Sequence, residues 1–127
     1  MTSFRPMLKR HGLTETQWRV IRVLADAPDI ETGDLATASF LLSPSLTRIL
    51  QHLERDGLLL RRQDATDQRK SLFKLSAKGL RLFQKVAPES EALYRQMERK
   101  FGAERLEELY TLLAEFSQLV RTTTADG

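Results

Sequence analysis

The chain has 127 residues, 41% hydrophobic and 29% charged, with a formal net charge of +3 and no cysteine. That is enough for one compact unit with an appendage, too apolar for disorder, and without the thiols for a disulfide framework, a thiolate metal site or a cysteine redox switch. No apolar run approaches the ~20 residues that span a bilayer, and the start MTSFRPMLKRHG lacks the apolar stretch of a signal peptide, so a cytoplasmic protein with no membrane partner is expected.

In chain order, Phe4, Met7 and Leu8 stand at i, i+3 and i+4, which predicts a short helix. It closes on Lys9-Arg10-His11, favourable at the negative end of a helix dipole, with Gly12 as terminator. Thr14 followed by Gln17 is a capping box opening a helix whose apolar face is Trp18, Val20, Ile21, Val23 and Leu24; Pro28 stops it soon after Ala25. Thr32 is the N-cap candidate for a brief helix through Ser39, with Leu35 and Ala36 inward.

Ser43 reads as the N-cap of the next helix and Pro44 as its first residue, where a missing N–H costs nothing. Leu46, Ile49, Leu50 and Leu53 form its buried face and Gly57 ends it. The period then changes: 58–62 and 71–75 are strand-like runs around the turn-rich spacer QDATDQRK, which makes a hairpin. Ser76 caps a long helix whose period is carried by Leu80, Phe83, Val86, Leu93, Met97 and Phe101, interrupted by Pro88 with a kink expected near Ala87. Gly102 separates it from a last helix striped by Leu106, Leu109, Tyr110, Leu113, Phe116 and Leu119; 123–127 read as a flexible tail.

The fold class is therefore mainly α with a small β-hairpin wing. A short helix, a turn, a second helix and a charged hairpin make a winged helix-turn-helix over 13–76. The outer face of the second helix carries Ser45, Thr47, Arg48, Gln51 and Arg55, where an ordinary solvated face would more often show Glu and Lys. Small or bidentate polar side chains suit base edges in a major groove, and the helix N-terminus at Ser43 suits phosphate. Arg48 is the best single candidate for a base contact; His52 lies at the edge of this surface or packs on it. Capping plus a solvated face is the plain alternative. Charge favours the first view: 26–42 holds four acids and no base, 43–75 seven bases against four acids, and the stretch from Ala77 eight of each.

On the stretches LTETQWRVIRVLA, DLATASFLLSPSLTRILQHLERDGLLLRR, DQRK and LSAKGL, the chain resembles the MarR family of winged-helix transcriptional regulators. FRPMLKRHGLTETQWRV and SPSLTRIL look like members that repress operons for degrading aromatic compounds. The resemblance implies a homodimer in which 1–12 and 77–122 form a helical dimerisation region, the two winged regions straddling a pseudo-palindromic operator in double-stranded DNA. Family members usually have a longer first helix, which implies that this chain begins inside it. Asp67 and Arg69 match the family's wing motif; a carboxylate two residues from an arginine can pin the wing tip while the arginine reaches a narrow minor groove. Arg61, Arg62 and Lys70 are expected on phosphate.

The family's effector pocket lies where the first helices meet the long one, near Phe83 or Val86. For a small aromatic carboxylic acid, Arg5 would hold the carboxylate, Trp18 supply a flat wall and His11 meet a hydroxyl, with Arg22 nearby. Each also has a plain account: Trp18 as core, His11 as a helix end, Arg5 as exposed. The sequence has no Gly-rich phosphate loop, no Gly-x-Ser-x-Gly elbow and no histidine pair at metal spacing, so neither catalytic residue, metal nor cofactor is expected. A winged-helix module for protein partners and a regulator without any ligand are the competing functions.

Overall fold

The protein's structure, a computed structural model, describes residues 4–126. Residues 1–3 of the expected dimerisation region and residue 127 of the expected tail lie outside the described residues. The described chain forms two compact units, one through Ser90 and one from Glu91. Among the described residues no helix is long and apolar enough to cross a membrane.

Helix α1 (Phe4–Arg10) buries Met7 and Leu8. It ends where Gly12 turns to φ +74 and the Leu13 N–H reaches the Leu8 carbonyl at 2.9 Å, a closure that uses glycine's freedom at positive φ. Helix α2 (Glu15–Asp26) opens on the expected capping box: Thr14 Oγ1 accepts from the Gln17 N–H at 3.2 Å, and Gln17 Oε1 accepts from the Thr14 N–H at 3.0 Å. Trp18, Val20, Ile21 and Leu24 of α2 are buried and form the centre of the first unit.

A two-residue strand, β1 (Ile30–Glu31), which the sequence reading did not contain, runs straight into α3 (Thr32–Ser39). The N-cap of α3 is Glu31 rather than Thr32 because β1 holds Glu31 extended at the point where the helix begins. Phe40 at its C-terminus has φ 57 and ψ 43. That left-handed backbone costs a residue with a Cβ about 1–2 kcal/mol.

Helix α4 (Ser43–Arg55) buries Leu46, Leu50 and Leu53, each worth roughly 1.5–3 kcal/mol. Its N-cap is Leu42, not Ser43: the Leu42 carbonyl already accepts from the Leu46 N–H at 2.9 Å, so the helix starts one residue early. Leu42 brings no capping oxygen, which forgoes about 1 kcal/mol. Gly57 (φ +75) terminates α4, and Leu58 gives its N–H to the Leu53 carbonyl at 2.9 Å. Leu58 thus belongs to the helix closure, and β2 (Leu59–Gln63) begins one residue later than expected.

β3 (Ser71–Leu75) pairs antiparallel with β2, Leu59 opposite Leu75 and Gln63 opposite Ser71. On its other edge β3 pairs with β1, Ile30 opposite Phe73, giving the order β1-β3-β2. Ser76 caps α5 (Ala77–Phe101) as expected, accepting from the Gly79 N–H at 3.0 Å and donating to the Gly57 carbonyl at 2.6 Å. Gly79 is required there: a Cβ would lie 1.9 Å from the Leu58 carbonyl oxygen.

α5 continues as one helix through Pro88, which withholds a single N–H from the ladder. Gly102 (φ +97) separates it from α6 (Ala103–Asp126). Residues 123–126, expected as tail, continue α6. Threonine hydroxyls tie its last turns back onto the helix, Thr122 to the Gln118 carbonyl at 2.8 Å and Thr123 to that of Leu119 at 2.9 Å.

Candidate nucleic-acid interface

The three leucines of α4 face the core, which turns its other side outward. Ser43, Thr47, Arg48 and Gln51 are exposed and Ser45 is half-buried. The Thr47 hydroxyl donates to the Ser43 carbonyl at 2.9 Å, so it is oriented by its own helix. Arg48 has no hydrogen-bond or ion-pair partner among the described residues and is the uncommitted cation at the centre of this face. His52 is instead paired with Asp56 one turn on, at 3.3 Å, which draws it towards the C-terminal end of α4.

The wing tip is held by its own acids. Asp67 Oδ1 accepts from the Arg69 N–H at 3.0 Å and from Arg69 Nε at 3.1 Å, while Oδ2 faces Arg69 Nη2 at 3.3 Å. This is the carboxylate–arginine clasp expected from the spacing. The clasp leaves the arginine side chain 91% exposed, so it is oriented without being hidden. Asp64 makes a second local closure, accepting from the Thr66 N–H at 3.0 Å and its hydroxyl at 2.9 Å. Both carboxyls are held below the ordinary 3.8, Asp67 by the side chain and N–H of Arg69, Asp64 by the N–H and hydroxyl of Thr66.

The three cations expected on phosphate already have acidic neighbours. Arg62 Nε is 3.3 Å from Asp29, Lys70 Nζ is 3.6 Å from Glu31, and Arg61 Nε is 3.8 Å from Glu54. Sequence reasoning missed Asp29, Glu31 and Glu54 as parts of this surface. For Asp29 and Glu31 the signal was present, since an acid run at 26–42 matches a basic run at 43–75, but the pairing became visible only once β1 lay beside β3; Glu54 reaches Arg61 from α4. A small cavity of about 160 Å³ brings Thr47, Gln51, Glu54 and Arg61 together between α4 and the wing strands.

The effector candidates are more dispersed. Trp18 is buried and stacks on Phe83, ring centroids 5.7 Å apart and planes inclined by 23°. Its indole Nε1 is buried without a hydrogen-bond partner among the described residues. His11 is half-buried, with Nε2 3.0 Å from Glu89. It lines a groove of about 580 Å³ with Gln17, Leu53, Arg81 and Lys85, a groove that Arg5, Trp18 and Arg22 do not line. Arg5 and Arg22 are both exposed, Arg22 one helical turn beyond Trp18. Among the described residues no group of three or more His, Asp or Glu is placed to hold a metal ion.

Comparison with known proteins identifies the family and the fold. The MarR family model matches residues 13–71. The homoprotocatechuate degradative operon repressor of Escherichia coli is 44% identical over 126 residues, covering 99% of this chain and 85% of that protein. The HTH-type transcriptional regulator FarR of Neisseria gonorrhoeae is 39% identical over 119 residues, covering 94% and 82%. The crystal structure of transcriptional regulator PA4135 superposes with a TM-score of 0.84 at 41% identity, covering 93% of this chain and 87% of that one. NadR in complex with 4-hydroxyphenylacetate gives 0.77 at 40%, covering 91% and 82%. With its polar helix face beside a clasped basic wing, the chain belongs to the MarR family of winged-helix transcriptional regulators.

Proposed function

We propose that this regulator acts as a cytoplasmic homodimer that represses an operon for degrading an aromatic compound, and that a small aromatic acid releases it from a pseudo-palindromic operator. The observation that carries the DNA reading is the exposed face of α4, with unpartnered Arg48 at its centre and Arg69 held outward on the adjoining wing. Ser43, Ser45, Thr47, Arg48 and Gln51 read the major groove, Arg69 pinned by Asp67 enters the minor groove, and Arg61, Arg62 and Lys70 take phosphate.

Dimerisation is supported by α6, whose Leu112, Leu113, Phe116 and Leu119 are all more than half exposed. An apolar face of that size calls for a cover, and a second copy supplies one by two-fold symmetry. Two reading helices then meet the duplex about one turn apart, near 34–36 Å. The effector reading is supported by the buried, unpaired Trp18 Nε1 and by the chemistry named for two relatives, homoprotocatechuate and 4-hydroxyphenylacetate. An acid oxygen would satisfy that donor; Arg5 on α1, His11 in the turn that follows it and Arg22 on α2 are the polar groups proposed to complete the site.

A gel shift with the regulator's own upstream DNA, run with and without 4-hydroxyphenylacetate, tests both parts. Specific retardation lost on adding the acid is expected. Binding that ignores DNA sequence, or a complex with a protein partner only, would end the DNA reading; a shift untouched by any aromatic acid would end the effector reading alone.

A further inference from the structure

Within three residues of the helix-turn-helix, the chain departs from its own habits more than once. Where φ is positive it places glycine at Gly12, Gly57 and Gly102 and the tolerant aspartate at Asp29, yet at the turn between α3 and α4 it places Phe40, which is 86% exposed. It caps α2 with Thr14 and α5 with Ser76 and leaves α3, at Glu31, without a side-chain cap, but only at α4 does it give the N-cap to an apolar residue, Leu42, which is 78% exposed. Closure of the turn does not need either side chain. The Leu41 N–H reaches the Ala36 carbonyl at 3.0 Å, the Phe40 N–H reaches that of Thr37 at 3.3 Å, and Arg19 Nη1 holds the Ser39 carbonyl at 3.2 Å. Local conflicts gathered where the fold gains nothing from them mark residues kept for contact.

Position indicates what they contact. Three peptide links separate Phe40 from Ser43, so their Cα atoms are at most ~11 Å apart, less than the ~12 Å width of a major groove. The exposed side chains of Phe40 and Leu42 are therefore within reach of a duplex that receives the first turn of α4. Neither side chain has a hydrogen-bonding group with which to read donors and acceptors. The apolar feature a base pair offers in that groove is the thymine 5-methyl.

We propose that Phe40, with Leu42 beside it, is a specificity determinant that packs on thymine methyl groups at the edge of each half-site. The proposal rests on α4 being the groove-entering helix. It accounts for the ring's exposure and left-handed backbone together, because a turn aimed at DNA can place an apolar group there only by accepting both.

The test uses the full chain and a duplex that it selects from a random library, with each thymine replaced in turn by uracil, which lacks the methyl. Wild type is expected to bind uracil duplexes roughly four-fold more weakly at one or two positions, the equivalent of ~0.8 kcal/mol for one buried methyl. Phe40→Ala and Phe40→Gly should abolish that difference at those positions, and Phe40→Gly, free of the left-handed strain, should melt no lower than wild type. The cycle of base and residue changes cancels any general effect of uracil on the duplex. Selective, salt-dependent binding blind to every uracil would overturn the proposal and leave the reading of α4 standing, as would a thymine preference that survives both substitutions. A retained preference with a shifted monomer–dimer equilibrium would assign the ring to a contact between copies. Failure to select any duplex would remove the proposal and the reading of α4 together.

Discussion

Arg62 Nε lies 3.3 Å from the Oδ1 atom of Asp29, so a cation of strand β2 is matched by a carboxylate from the segment just before β1. Both side chains are about half exposed, and such a pair contributes at most ~1 kcal/mol in water. A DNA phosphate can displace it, at the cost of setting a carboxylate beside the duplex. Asp29→Asn removes that charge and keeps a residue type tolerant of the left-handed φ of 62 at this position. The variant should bind operator DNA more tightly, and the slope of log K against log salt should steepen by up to about 0.9, the increment for one additional phosphate. Fluorescence anisotropy over a salt series measures both; an unchanged slope would mean that Asp29 does not hold Arg62 back from phosphate.

Arg48 and Arg69 should fail differently. Arg48→Ala is expected to cost about 1–3 kcal/mol at the preferred site and to relax discrimination at one base position. Arg69→Ala, which also releases Asp67, should weaken binding more evenly across sequences. Competition assays with single-base operator variants separate the two patterns, and equal loss of specificity in both would contradict the division of labour between helix and wing.

The wing clasp has a defined pH range. Asp67 and Asp64 are held below the ordinary 3.8, so each favours the ordered loop when ionised. A depressed carboxyl contributes order that is complete above the unfolded value and is lost as pH falls through the lower folded value. Between pH 5 and 8 the clasp should be indifferent to pH, and it should open only below about 3.8. Carboxyl NMR titration checks this, with both midpoints expected below 3.8. Asp67→Asn should loosen the loop at neutral pH without changing the thermal midpoint appreciably, since both residues sit at the surface.

Two glycines give opposite expectations. Gly79→Ala drives a methyl to 1.9 Å from the Leu58 carbonyl oxygen, against backbone that also receives the Ser76 N–H. Overpacking of this kind costs about 1–3 kcal/mol or more. Gly33, inside α3, has nothing within 4 Å of a Cβ, so Gly33→Ala should stabilise by roughly 0.5–1 kcal/mol through helix propensity. Urea denaturation of the two variants should move the midpoint in opposite directions.

What could be read in the sequence was whatever depends on residues close together. The Thr14–Gln17 box, the stops at Gly12 and Gly57, the Ser76 cap and the Asp67–Arg69 clasp each close within a few residues, and all are present in the structure. β1 escaped notice because two residues carry no period, and its existence depends on β3 forty residues later. With it went the partners of Arg62 and Lys70, since Asp29 and Glu31 approach the wing only through that strand. Leu42 displaced Ser43 as N-cap because the Phe40 turn sets the entry of the chain, and no rule of sequence would choose phenylalanine for a left-handed turn. The polar face of α4 was legible from helical spacing alone. The places of Arg5, His11, Trp18 and Arg22 were not, because they depend on tertiary packing.

β1 passes into α3 without an intervening loop, and its two residues are hydrogen-bonded to the inner edge of the wing. The first helix of the helix-turn-helix is thereby splinted to the wing, so that, on the proposed reading, the groove helix that follows it and the minor-groove arginine are held together within one subunit, as one head. An inducer that dislodges this regulator has little to gain by distorting a head internally. In the proposed dimer its leverage would lie in how far apart, and at what tilt, two such heads are presented to the same stretch of duplex.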